Sequence, residues 1–509
     1  MRPEERFVLS RWLTLRGLGV VSGVAFASFG VQVGGLIGSR GILPAVESLA
    51  LLGRWHEGAR FVRAPTLFWL GASDRALEGV CTAGVALSAL LVAGVAPRAV
   101  LLALWAAYLS LATVSANFLG YQWDALLLEA LCVALFLAPP VAWERLQRDP
   151  PPPHAALLLV HLLLAKLMFL SGFAKLASGD RTWRGLTALD YHYWTQPLPT
   201  WTSAWAAALP HAVHAASVVA TLAVELVVPF LLFAPRPLRR AAALVLLAFQ
   251  VLLMATGNFA FFNLLTIVLC VSALDDACLA RAIPRALRGR VDSARVPLAA
   301  RACGACRLAL DEARSAPPAT PLRRAVFAAG VALLLGTNAL LLAQRLAPGH
   351  LPEPAADVLD AIAPWRTLNA YGLFAVMTTE RPEILVEGTR DGTRWLPYEF
   401  CWKPGRPDRA PGFVAPHQPR LDWEMWFAAL RGCRRSPWFS RFAERLLEGS
   451  EPVLRLLESN PFPDAPPREI RSSVHRYRLA PAPLRRRTGQ WWIREEPGRP
   501  FCPPFRAKR

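Results

Sequence analysis

Four ionisable side chains fall inside long apolar runs of this 509-residue chain: Glu129, Lys166, Lys175 and Glu225. A charge in such surroundings is costly unless it is paired or lines a cavity, so each is a functional hypothesis whose partner must be named. Two chemistries are open to them. A lysine stripped of water can lose its proton near neutral pH and act as a general base, which makes Lys175 the one catalytic alternative. A lysine facing a glutamate across two helices fixes packing instead, and Lys166 with Glu129 or Glu225 fits that blander role. On a helix Gln122 and Glu129, seven residues apart, share a face, and Asp124 sits at the edge between two spans. Lys166 and Lys175 are nine apart and half a turn out of phase, so one cavity cannot take both. Near a span end, Lys175 is also placed to snorkel to the interface.

Other reactive patterns are sparse. Asp190 and His192 lie in a segment, 182–199, dense in Trp, Tyr and Pro. That texture suits an interfacial belt, a lid over the bundle, or a surface for an apolar partner. In an extended segment the two side chains point to opposite sides, which disfavours an acid–base pair. Cys303-Gly-Ala-Cys306 has redox or zinc spacing, yet no second cysteine or histidine pair accompanies it, so loop cysteines are expected and no metal or cofactor. The sequence holds no Gly-x-Ser-x-Gly elbow, phosphate loop or His-Glu-x-x-His helix, which leaves hydrolase, NTPase and zincin readings unsupported.

The elements that must position these residues are membrane spans. Hydrophobic residues make up 54% of the chain and charged residues only 18%, against roughly 25% charged in a soluble protein. The apolar residues are bunched in runs long enough to cross a bilayer. Nine candidate spans, with seven to nine plausible, follow at 18–37, 79–95, 99–118, 125–139, 155–176, 215–234, 241–256, 259–274 and 325–343. The first carries no cleavage pattern and is expected to remain as an anchor. A net charge of +19 would suit nucleic acid in a soluble chain, but the arginines sit in loops beside spans and no nucleic-acid module is present, so the expected partner is the lipid bilayer.

Charge bias sets the orientation, because cytoplasmic loops hold the excess of Lys and Arg. Placing the N-terminus in the cytoplasm gathers Arg2, Arg6, Arg11, Arg16, Arg98, Arg145, Arg148, Arg236, Arg239 and Arg240 there, with a basic loop at 277–324. An odd number of spans then sends the chain after 346 to the opposite side. One loop resists, since 39–78 holds five arginines yet falls outside. The organisation is a multi-pass domain over 1–346 and a soluble mixed α/β domain over 363–509.

In that second domain 383–389 and 394–400 alternate around Asp391-Gly392, a β-hairpin signal. Residues 422–430 read as a short amphipathic helix, 439–457 as another, and 474–479 as a strand. Cys401, Cys433 and Cys502 would face an oxidising side, where one disulfide leaves one thiol over.

Several stretches together resemble the lipase maturation factor family. They include Gly-Leu-Ile-Gly-Ser-Arg-Gly-Ile-Leu-Pro at 35–44, Phe-Leu-Gly-Tyr-Gln-Trp-Asp-Ala-Leu-Leu-Leu-Glu-Ala at 118–130, Leu-Met-Phe-Leu-Ser-Gly-Phe-Ala-Lys-Leu at 167–176 and Gly-Asn-Phe-Ala-Phe-Phe-Asn-Leu-Leu-Thr at 257–266. The C-terminal part adds Asn-Ala-Tyr-Gly-Leu-Phe at 369–374 and Arg-Leu-Asp-Trp-Glu-Met-Trp-Phe-Ala-Ala-Leu at 420–430. The resemblance implies a multi-pass endoplasmic reticulum protein, or a bacterial inner-membrane version, whose luminal or periplasmic C-terminal domain binds a secreted lipase client and assists its folding and assembly. An aromatic outer surface would then hold the client, with Trp183, Asp190, His192, Asp422, Trp423, Trp426 and Phe427 as its residues. The alternative is enzymatic: Gly172-Phe-Ala-Lys175-Leu, followed by Trp183 and Gly185, is similar to the vitamin K-dependent carboxylase group, which implies Lys175 as base.

Overall fold

In lipid a backbone has no water to bond to, so apolar runs must close into helices. In a computed structural model of the chain, which describes residues 6–144, 150–282 and 320–507, they form nine bundle helices. These are α1 (Val8–Gly30), α2 (Asp74–Ala93), α3 (Pro97–Val114), α4 (Gln122–Leu137), α5 (His154–Ala177), α6 (His211–Leu226), α7 (Arg236–Thr256), α8 (Phe262–Val271) and α9 (Pro321–Leu346). Cys303 and Cys306 lie outside the described residues.

The helices run alternately up and down. One end of the bundle joins the start of α1, the α2–α3 turn, the α4–α5 connection and the end of α8: Asp276 N–H donates to the Arg6 carbonyl, the Arg11 guanidinium to the Pro150 carbonyl, and Ala96 N–H to the Ala142 carbonyl. Its basic residues are met there by acids, Arg16 by Glu144 and both Arg236 and Arg240 by Asp275. The other end carries the C-terminal domain.

Seven of these helices, the 3₁₀ continuation of α6 to Phe233 included, are long and apolar enough to cross a bilayer. The expected nine spans thus divide into seven long helices and two short ones, α4 with 16 residues and α8 with 10. The short pair can stop early because other helices, not lipid, surround them: α4 is buried over nearly its whole length. Core and periphery separate in the same way, with 78% of the apolar stretch of α5 buried against 22% for α6.

The C-terminal domain is a five-stranded sheet with helices. Its strands are β1 (Arg381–Thr389), β2 (Leu396–Pro397), β3 (Glu469–Leu479), β4 (Trp492–Arg494) and β5 (Arg499–Arg506), with order β2-β1-β3-β4 and β5 also on β3, all antiparallel. The hairpin at Asp391-Gly392 forms, with Gly392 at φ 77° as such a turn requires. Its second strand is only two residues long, so the main partner of β1 is the distant β3, in the register Ile384↔Val474.

Two helices pack on the sheet, α10 (Arg420–Arg431) and α11 (Pro437–Leu447). The helix expected over 439–457 breaks after Leu447, where Gly449 adopts φ 63°, and resumes as one turn at Glu451–Leu454. A disulfide joins Cys433 to Cys502, and of these three cysteines Cys401 is left as the free thiol.

Gly35 lies at a close approach of the two domains. A Cβ there would stand 2.3 Å from the Pro452 carbonyl oxygen. Gly35→Ala is expected to lower stability by about 1–3 kcal/mol through overpacking, read as a lower melting temperature of the detergent-solubilised protein.

Candidate functional site

The buried charges lie at the upper half of the bundle, where the C-terminal domain reaches down to meet them. On α5, two lysines two and a half turns apart form two separate pairs. Lys166 pairs with Glu129 of α4 and donates at 2.8 Å to Asn338 Oδ1 of α9. The second oxygen of Glu129 accepts from Asn369 N–H at 3.0 Å and Tyr371 Oη at 2.7 Å, and Gln122 Oε1 accepts from Gly372 N–H at 2.9 Å. Gln122 and Glu129 thus share a face, and what they face is the 369–374 segment. Of the two glutamates expected opposite Lys166, it is Glu129 that meets it.

Lys175 is buried, so snorkelling is overturned. Its ammonium donates to Glu225 Oε2 at 2.7 Å and Oε1 at 2.9 Å, and to the Leu373 carbonyl at 3.0 Å. The reason is the 373–374 backbone, which covers the span end that would otherwise open to water.

A third pair lies at the top of α4. Asp124 is fully buried and takes a bidentate contact from Arg420 of α10, at 2.6 and 2.9 Å, with Tyr108 Oη donating at 2.6 Å. Arg420 also donates to the Phe118 carbonyl. No pattern in the sequence singles Arg420 out, because this chain holds 56 Lys and Arg. Arg381 was missed for the same reason; it is buried beside Glu383 at 2.8 Å and donates to the Trp194 carbonyl at 2.8 Å.

Lys166→Met is expected to destabilise the solubilised protein by about 2–3 kcal/mol, below the usual cost of orphaning a buried charge, because Glu129 keeps Tyr371 and Asn369 as donors. A melting curve checks this, with Lys166→Met/Glu129→Leu expected to recover part of the loss.

The segment after α5 is helical over Ala188–Thr195 rather than extended. Asp190 on it receives His211 Nδ1 at 2.9 Å and His214 Nδ1 at 2.7 Å, tying this cap helix to α6. His192 faces away from that cluster and is stacked among Phe259, Phe374 and Tyr193. Together with Lys175, Trp183 and Glu225 it lines an apolar cavity of about 590 Å³ between α5, the cap helix, α6 and α7. Burial, and Lys175 nearby, push the His192 imidazole down to about 4, so it is neutral at physiological pH.

The aromatic residues expected on an outer surface are inside instead. Trp183, Trp423 and Trp426 are 2%, 3% and 8% exposed, and Phe427 is half-buried. Helical spacing explains this: positions 423, 426 and 427 share one face of α10, and that face lies on the bundle. Trp423 meets Trp123 edge-on at 4.8 Å, and Trp426 Nε1 donates to the Thr195 carbonyl. Trp183 Nε1 donates to the Phe374 carbonyl. Asp422 is buried and accepts from the N–H groups of Trp402 and Lys403 at 2.8 Å, which anchors a loop of its own domain. These residues build the joint between the domains.

Comparison with known proteins fits a chain built of these two parts in this order. Residues 9–281 match the family model described as the lipase maturation factor transmembrane domain, and residues 367–502 match the lipase maturation factor C-terminal domain. The chain is 36% identical to lipase maturation factor 2 of Homo sapiens, over 96% of this chain and 81% of the relative. It is 34% identical to lipase maturation factor 1 of Bos taurus, over 98% of this chain and 89% of the relative. No solved structure matches. A multi-pass bundle with its C-terminal domain keyed into one end, matched along both parts to the same named family, is a member of the lipase maturation factor family.

Proposed function

We propose that this protein assists the folding and assembly of a secreted lipase by binding it through the C-terminal domain, on the luminal or periplasmic side of an endoplasmic reticulum or bacterial inner membrane. The observation that carries the reading is the placement of that domain at the bundle end opposite the basic start of α1 and the arginines of α7. By charge bias that basic end is cytoplasmic, so the domain meets clients outside.

The surface best suited to a client is a cleft of about 610 Å³ lined by Met377, Leu430 and Val474 together with Glu380, Arg476 and Glu495. Apolar side chains set among charges of both signs accommodate a chain that has not yet buried its own apolar residues. Deleting 363–509 would be a poor test, since it also strips Glu129 and Asp124 of their partners. Leu430→Asp, at a 39% exposed position, is expected to reduce co-purification of a secreted lipase with the solubilised protein by about tenfold or more, the effect of losing an interface hot spot. Unchanged recovery would remove the cleft from the proposal, and normal lipase output from cells lacking the whole gene would remove the maturation role.

Lys175 acts here by position. With all its donors engaged by Glu225, Ser171 and Leu373, replacing the pair together by Lys175→Met/Glu225→Leu leaves no orphaned charge and is expected to keep lipase activation within about threefold of wild type. Complete loss at unchanged expression would make Lys175 a catalytic base.

A further inference from the structure

We propose that the cavity beside Lys175 binds an uncharged, single-tailed lipid with a hydroxyl or ester head, of the monoacylglycerol type, entering sideways from the bilayer between α6 and α7. Its mouth is in the apolar belt. Ala220 on α6 and Val245, Ala248 and Leu252 on α7 all line the cavity and are also exposed on the outer face of the bundle. Ala220, Val245 and Ala248 lie in mid-span, where the surrounding medium is hydrocarbon. At about 590 Å³ the volume is within the roughly 300–1,000 Å³ of ligand sites.

Electrostatics select the head group. Lys175 and Glu225 cancel each other, His192 is neutral, and the lysine donors are all engaged within the protein. An anionic carboxylate or phosphate entering this pocket would find no free cation, so its desolvation would go uncompensated. What the lining offers is unfilled hydrogen-bonding capacity: Trp123 Nε1, a donor, Asn263 Oδ1, an acceptor, and His192 Nδ1, each buried without a partner. A buried polar atom without a partner is unfavourable; a hydroxyl satisfies both the donor and the acceptor, and an ester carbonyl accepts from the donor. The apolar remainder of the wall, Leu167, Val224 and Leu253 among it, takes the tail. The proposal is independent of how a client binds.

The test uses the full-length protein in phosphatidylcholine nanodiscs with a diazirine-tagged monoacylglycerol, irradiation and peptide mass spectrometry. Adducts are expected on the cap helix, α6 and α7, competed by unlabelled monooleoylglycerol, while a diazirine-tagged fatty acid labels these peptides no more than the outer face of α9. Ala248→Trp blocks the mouth at a lipid-facing position and is expected to cut labelling about tenfold, with unchanged melting; His192→Phe, which removes one hydrogen bond, is expected to weaken competition by a similar factor. Labelling that is spread evenly over lipid-facing helices, that resists competition, or that is unaffected by Ala248→Trp would overturn the site. Equal labelling by the fatty acid would overturn the head-group assignment.

Discussion

Arg420→Met is expected to destabilise the solubilised protein by about 3–5 kcal/mol, the cost of leaving a buried carboxylate without its cation. Asp124 and Arg420 are both fully buried, and they join α4 to α10, 296 residues away in sequence. Removing the guanidinium leaves Asp124 with the neutral donors Tyr108 Oη and Tyr121 N–H and leaves the Phe118 carbonyl without Arg420. Because the pair lies in the joint, the expected signature is separation of the domains before the bundle melts: protease cleavage after α9 should appear at temperatures where the wild type is resistant. Asp124→Leu/Arg420→Met removes both charges and is expected to restore most of the lost stability, since replacing a whole buried pair by apolar groups is often neutral. Equal loss in the single and double variants would mean that packing, and not charge, holds the domains together.

Cys433→Ser/Cys502→Ser is the second large effect. The bridge closes a loop of 69 residues, for which loop-closure entropy gives about 4 kcal/mol. It ties the turn after α10 to β5, across Phe439, which meets Phe501 at 4.9 Å. The expected result is a C-terminal domain that melts lower while the bundle transition is unchanged, with reductant producing the same shift in the wild type and none in the variant. A reductant-insensitive wild type would show that the two sulfurs are not joined. A structural disulfide belongs to an oxidising compartment, so its formation in cells also bears on the side of the membrane proposed for this domain.

Much of the architecture is legible in one dimension. Apolar runs, loop arginines and the end of those runs at residue 343 give the membrane class and the two-part organisation, because spanning lipid imposes its length and polarity requirement on every local segment separately. The hairpin at Asp391-Gly392, the helix at Arg420–Arg431 and a strand over 474–479 are equally local. Within the bundle, a helical period alone puts Gln122 and Glu129 on one face and separates Lys166 from Lys175.

What only the tertiary structure decided is who meets whom. The pairing of Glu129 with Lys166 and Tyr371, of Glu225 with Lys175, and of Asp124 with Arg420 joins residues 37 to 296 positions apart. The same holds for burial of Trp423 and Trp426, whose sequence pattern marks an apolar helix face without saying whether a client or the bundle covers it. Periodicity fixes which side chains share a face; the occupant of that face is set by long-range packing, which leaves no period in the sequence to read.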